Sequence, residues 1–155
     1  FAEHLEYGEA YADQIIRNAK ALAGALDAEE FEVLGADYGY TESHQIVFKV
    51  GEKQGNPAAV RLEDAGIIAN GNMVPEDESP LHPSGIRLGV QELTRLGMEE
   101  DEMEDIAVFF RRVLRDQEEP GTVKKDVSSF KQRYREIQYC FHAGRDPYAF
   151  HDMIP

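Results

Sequence analysis

Apolar positions at three- and four-residue steps (Ala12, Ile15, Ile16, Ala19, Leu22, Ala23 and Leu26) predict a long first helix that ends near Asp27. Phe31-Glu32-Val33-Leu34 then reads as a short strand, and Gly35–Thr41, with two glycines and two tyrosines, as a loop. His44–Val50 has a strand's composition in Ile46, Val47, Phe48 and Val50. Gly51–Pro57 is a turn-rich connection, and Pro57 suits the first turn of a helix that runs to Ala65 and stops at Gly66. Ile67-Ile68-Ala69 and Ser84–Gly89 predict two further short strands, separated by the loop Asn70–Pro83. A compact helical turn follows at Leu93-Thr94-Arg95, closed by Gly97.

Met103, Ile106, Ala107, Phe110, Val113 and Leu114 mark the next helix, whose Glu99-Glu100-Asp101 opening suits the positive end of its dipole. Glu118–Thr122 breaks the chain, and Val127, Phe130, Tyr134 and Ile137 mark a final helix. Strands are few and short, and no repeat or domain boundary interrupts the pattern. The expectation is an α+β fold: a small, mainly antiparallel sheet with helices packed on one side. Residues 1–143 form the domain, and residues 144–155 read as an irregular tail.

Composition narrows the function classes. A chain of 155 residues with 42% hydrophobic and 30% charged residues fits one globular domain. A net charge of −14 argues against a nucleic-acid partner, which needs a basic footprint. The acidic runs Glu99–Glu104 and Asp116–Glu119 read as solvated helix faces. No apolar run approaches the roughly 18 residues of a membrane span. Cys140 is the single cysteine, so no internal disulfide forms; a buried structural thiol in a reducing, cytoplasmic setting is expected. No Cys/His cluster has zinc spacing, and no metal is expected. The chain opens at Phe1 inside a helical pattern and without an initiating methionine, which reads as a piece of a longer protein.

The candidate chemistry lies in Asn72-Met73-Val74-Pro75-Glu76-Asp77, Ser79-Pro80 and Ser84-Gly85-Ile86-Arg87-Leu88-Gly89. An arginine offers a rigid fork that matches a carboxylate in bidentate fashion. Gly85 and Gly89 would let backbone approach a ligand closely. By physics alone Arg87 is either an anion site or a surface salt bridge. Asn72 could present donor and acceptor to a ligand, or cap its own turn. His44 could titrate near neutrality, or join sheet to loop as a structural residue.

These residues closely resemble the C-terminal part of serine hydroxymethyltransferase, a family of pyridoxal-phosphate enzymes of the aspartate-aminotransferase fold type. The likeness extends through Arg17-Asn18-Ala19-Lys20-Ala21-Leu22, Thr41-Glu42-Ser43-His44, Ala65-Gly66-Ile67 and Thr94-Arg95-Leu96-Gly97-Met98. The resemblance implies that Arg87 holds the α-carboxylate of a serine or glycine substrate. It implies that Asn72, the second asparagine of the family's N-x-N motif, contacts a reduced pterin. His44, Ser84 and Gly85 would support the site. It implies pyridoxal phosphate as cofactor, tetrahydrofolate or a modified tetrahydropterin as cosubstrate, and a homodimer when intact.

Departures from the family pattern keep alternatives open. Met73 stands where a hydroxyl is usual, and Val90-Gln91-Glu92 replaces the commoner Thr-Pro continuation. The second form resembles the archaeal-type branch, and it also suits the related threonine transaldolases, which dispense with folate. Pyridoxal chemistry needs a lysine that carries the cofactor, and the family's T-T-T-H-K-like motif is missing. An N-terminal large domain is expected to supply it, and this chain alone is expected to be inactive. A noncatalytic assembly domain is the third reading.

Overall fold

The computed structural model describes residues 1–142, so the tail assigned to 144–155 lies outside the described residues. The chain runs α1 (Ala2–Ala28), β1 (Gln45–Lys49), α2 (Gly55–Asp64), β2 (Asn70–Asn72), β3 (Gly85–Gly89), α3 (Gln91–Arg95), α4 (Glu100–Leu114) and α5 (Pro120–Lys131). The strands form an antiparallel sheet in the order β1-β3-β2. The expected α+β class, a small antiparallel sheet backed by helices, is the architecture observed.

Alternation along the strands sorts the sheet into two faces. Ile46, Phe48, Ile86 and Leu88 are buried and pack into a core with Leu22, Leu26, Leu62, Met103 and Phe110 from the helices. Phe48 stands edge-on to Phe31 at 5.0 Å and to Phe110 at 5.7 Å between ring centroids. The other face carries the rows Val47–Arg87–Asn70 and Lys49–Gly85–Asn72, set by the register of the strands. The domain therefore has one greasy face committed to its helices and one polar face turned away from them.

α1 buries Ala19, Leu22, Ala23 and Leu26 as its stripe predicts, but Ala12 is exposed, and Gln14 and Asn18 are buried on the same face. α4 opens with a capping box in which the Glu99 N–H donates to Glu102 Oε2 at 2.8 Å. Gly66 (φ 78°) and Gly97 (φ 83°) close α2 and α3 in the left-handed conformation that their positions suggest.

Several local expectations are corrected. Phe31–Leu34 is no strand; it makes one bridge, Val33 to Phe48. Gly35 at φ 80° and the 3-10 turn Ala36–Tyr38 end its extension at once. The second strand falls on Asn70–Asn72 rather than on Ile67–Ala69. Ile68 is 79% exposed, and pairing is possible only where the polar segment passes β3. Gly71 permits that passage, because a Cβ there would run into Asn56 Oδ1 on α2. Pro120 opens α5 at its first turn instead of breaking the chain, and Tyr134 and Ile137 lie beyond its end. Tyr134 nevertheless packs on Phe130 and donates to Glu102 Oε1 at 2.7 Å; burial, helped by that bond, pushes its pKa up to about 12. Cys140 is half-buried rather than buried, with Sγ 3.7 Å from the Ile137 carbonyl. No helix among the described residues is long and apolar enough to cross a membrane.

Candidate functional site

Arg87 sits in the middle of β3 on the polar face, exposed between Gly85 and Gly89. Acidic residues outnumber basic ones 30 to 16 in this chain, so an arginine normally finds a partner. Arg61 donates to the carbonyls of Val113 and Glu118, Arg95 to Glu3 and the Tyr139 carbonyl, and Arg112 to Glu118 and Asp126. Arg17, Arg111, Arg115 and Arg133 each hold an acid. Among the described residues Arg87 alone of the arginines has neither a hydrogen bond nor an ion pair. Its row supplies only Val47 and Asn70, neither of which carries a charge.

The loop between β2 and β3 folds over one end of this face. Asp77 organises it: Oδ2 accepts from the Val74 N–H at 2.9 Å and the Ser84 N–H at 2.8 Å, and Oδ1 accepts from Ser84 Oγ at 2.5 Å. The Ser84 hydroxyl bond, seconded by the Val74 N–H, holds the Asp77 carboxyl below its usual range. Ser84 Oγ also accepts from the Lys53 N–H at 2.9 Å. Ser84 is thus buried and engaged on both sides, and it acts on the site through the shape of the loop. The loop in turn presses Val74 onto Gly85, where a Cβ would lie 2.8 Å from Val74 Cγ1 and 3.0 Å from the Asn72 carbonyl. Gly85 is required by that packing, whatever it offers a ligand.

Asn72 lies on the same face as Arg87, but one N–H of its Nδ2 donates to the Met73 carbonyl at 2.7 Å, which leaves Oδ1 and the second N–H open among the described residues. Met73 is 39% exposed beside it. His44 stands just before β1, half-buried, with no hydrogen bond among the described residues. Gln45 pairs with Gly89, so His44 lies past the end of the sheet where β3 leaves it, away from the Arg87 row. The structure therefore groups Arg87, Gly85 and Asn72 on one face, puts Ser84 beneath the loop, and sets His44 apart.

Sequence reasoning passed over three residues here. Asp77 stood in the motif without an assigned role. Asn70 pairs directly with Arg87; the segment reads as a loop in sequence, and only as strand β2 does its two-residue step put Asn70 and Asn72 on one face. Gln91 folds its side chain over Gly89, with Oε1 2.6 Å from where a Cβ would lie; the sequence marked it only as part of the Val90-Gln91-Glu92 departure, with no role of its own.

The lysine on this face is not suited to carry a carbonyl cofactor. Lys49 Nζ is bound by Glu32 at 2.6 Å and Glu76 at 2.8 Å, and the two acids raise its pKa. A neutral, nucleophilic amine requires the opposite shift. What the face does offer, an uncommitted guanidinium among neutral amides and glycines, is chemistry for a carboxylate.

A family model described as serine hydroxymethyltransferase matches residues 2–110. The chain is 54% identical over 148 residues to a serine hydroxymethyltransferase of Thermococcus kodakarensis, covering 92% of this chain and 34% of that protein. It is 49% identical over 152 residues to the enzyme of that name from Methanocella arvoryzae, covering 96% of this chain and 36% of the relative. Among solved structures, L-threonine transaldolase from Pseudomonas fluorescens superposes with a TM-score of 0.80 at 33% identity, over 97% of this chain and 33% of that one. The chain spans about a third of the length of the relatives it matches.

Proposed function

The chain belongs to the serine hydroxymethyltransferase family, and from that premise we propose that it is the C-terminal small domain of an enzyme interconverting serine and glycine. A reduced pterin would carry the one-carbon unit, and the intact protein would be a cytoplasmic homodimer. A large domain of the same polypeptide would bind pyridoxal phosphate through its own lysine, since Lys49 is committed to two acids. The observation that carries the reading is Arg87, exposed on β3 and without a partner among the described residues.

Pyridoxal phosphate supplies the electron sink for breaking a bond at the substrate's Cα. This domain's contribution is alignment. Arg87 takes the α-carboxylate in a two-pronged grip, which fixes one substituent of Cα and so directs the bond to be broken. The glycines on either side let neighbours close in: Val74, held by the Asp77-ordered loop, walls the ledge at the Gly85 end, and the Gln91 side chain lies over Gly89. Asn72 Oδ1, which makes no hydrogen bond among the described residues, would serve as an acceptor for a pterin N–H edge. A ledge of this kind is complete only when a second domain covers it and excludes water.

The test uses the full-length protein carrying this domain. Serine should yield glycine at a rate that depends on added tetrahydropterin, and Arg87→Ala should raise the KM for serine without abolishing cofactor binding. Glycine formation indifferent to the Arg87 substitution would sink the proposal. A second reading, a pterin-independent threonine aldolase or transaldolase, draws support from the transaldolase likeness and from Met73 beside Asn72. Acetaldehyde release from threonine without pterin, faster than any turnover of serine, would select it.

A further inference from the structure

Asn70 is the direct cross-strand partner of Arg87, on the edge strand β2. Residues so paired point to the same face, with Cβ atoms about 4.5–5.5 Å apart. Both are exposed. Of the other asparagines, Asn18 donates to Thr94 and Met98, Asn56 to the Leu81 carbonyl, and Asn72 to the Met73 carbonyl. Asn70 makes no side-chain hydrogen bond among the described residues, so the unengaged asparagine and the unengaged arginine are neighbours in one row.

Resting on the carboxylate-clamp reading above, we propose that Asn70 is a second substrate-binding side chain, donating through Nδ2 to the carboxylate that Arg87 grips. A carboxylate has about four lone-pair sites, and a bidentate guanidinium fills two. An amide beside the fork serves a third without bringing a charge that would compete for Arg87. An acid in the same place would close an ion pair with Arg87 and block the site. A hydrophobic residue would leave the outer oxygen to solvent alone.

The test measures glycine binding to the full-length holoenzyme by titration calorimetry, beside KM and kcat for serine and KM for the pterin. Asn70→Ala is expected to weaken glycine binding and raise the serine KM by roughly 5- to 30-fold, with kcat and the pterin KM near those of the parent. Asn70→Asp is expected to lose more than Asn70→Ala, because its carboxylate occupies Arg87 and repels the substrate. Unchanged melting temperatures would show that neither variant acts through folding. If Arg87→Ala weakens glycine binding and Asn70→Ala does not, the inference is overturned while the clamp stands. If the pterin KM rises in place of the serine KM, Asn70 belongs to the pterin wall and the inference also fails. If Arg87→Ala itself leaves glycine binding intact, the clamp falls and this assignment with it.

Discussion

Val74 closes on Gly85 so tightly that a methyl group on that glycine would lie 2.8 Å from Val74 Cγ1. The backbone blocks it too, with the Asn72 carbonyl at 3.0 Å and the Phe48 carbonyl at 3.1 Å. Carbonyls in a sheet cannot swing aside, so Gly85→Ala should cost about 1–3 kcal/mol, as overpacking does. Gly89→Ala meets only the end of the Gln91 side chain and should stay within about 0.5 kcal/mol. Thermal denaturation of the two variants should separate them clearly. Adding Val74→Ala to Gly85→Ala should recover only part of the loss, because the carbonyls remain.

Arg87→Ala should weaken serine binding by about 2–5 kcal/mol, roughly 30-fold to several thousand-fold in KM, if the fork meets a desolvated carboxylate. Arg87→Lys keeps the charge but not the planar pair of donors, and should recover only a fraction. Stability should barely move, because Arg87 contributes no hydrogen bond or ion pair among the described residues. A melting temperature lowered in step with affinity would mean that the residue is structural.

Helices α1 to α4 and strands β1 and β3 were legible because their signals are local. The α1 stripe, the Gly66 and Gly97 stops and the alternation of β3 each sit within a few residues. The edge strand was misplaced because Asn70-Gly71-Asn72 lacks strand propensity and pairs only for want of a Cβ at Gly71, a tertiary fact. Arg87 stood out by resemblance to a motif, but only the fold shows that no acid among the described residues pairs with it in a chain so rich in acids. The buried Gln14 and Asn18 were hidden for the reverse reason: helical periodicity marks apolar positions, and these amides owe their place to partners far along the chain.

Asp77 should make the loop sensitive to acid. Its folded pKa lies below the ordinary aspartate value, because Ser84 and the Val74 N–H favour the carboxylate. Its stabilisation is therefore full above about pH 4 and is lost as pH falls from there through the lower folded pKa. Asp77→Asn places an NH2 against backbone donors and should lower the melting temperature at neutral pH. The gap between parent and variant should narrow steadily as the pH is taken down toward 2. A gap independent of pH would show that the carboxylate charge is not what orders Val74 and Ser84.

Asn18 should prove the most costly polar residue to remove. It is fully buried on α1, where Nδ2 donates to Thr94 Oγ1 and to the Met98 carbonyl, both at 2.9 Å. Its Oδ1 accepts from Gln14 Nε2 at 2.9 Å, and Gln14 in turn donates to Glu100. Thr94 Oγ1 passes the link on to the Val90 carbonyl, one residue beyond β3. Asn18→Ala would strand the Met98 carbonyl and one Gln14 N–H and leave a void, at a cost of about 2–4 kcal/mol. Asn18→Asp keeps the shape, but it turns an oxygen toward the Met98 carbonyl and adds charge near Glu100, so it should destabilise at least as much. Raising the acidity should bring Asn18→Asp partway back, since a protonated carboxyl can again donate, whereas Asn18→Ala should show no such recovery. An Asn18→Ala loss below about 1 kcal/mol would mean that water can take the amide's place, and that α1 and the β3 exit are held by apolar packing alone.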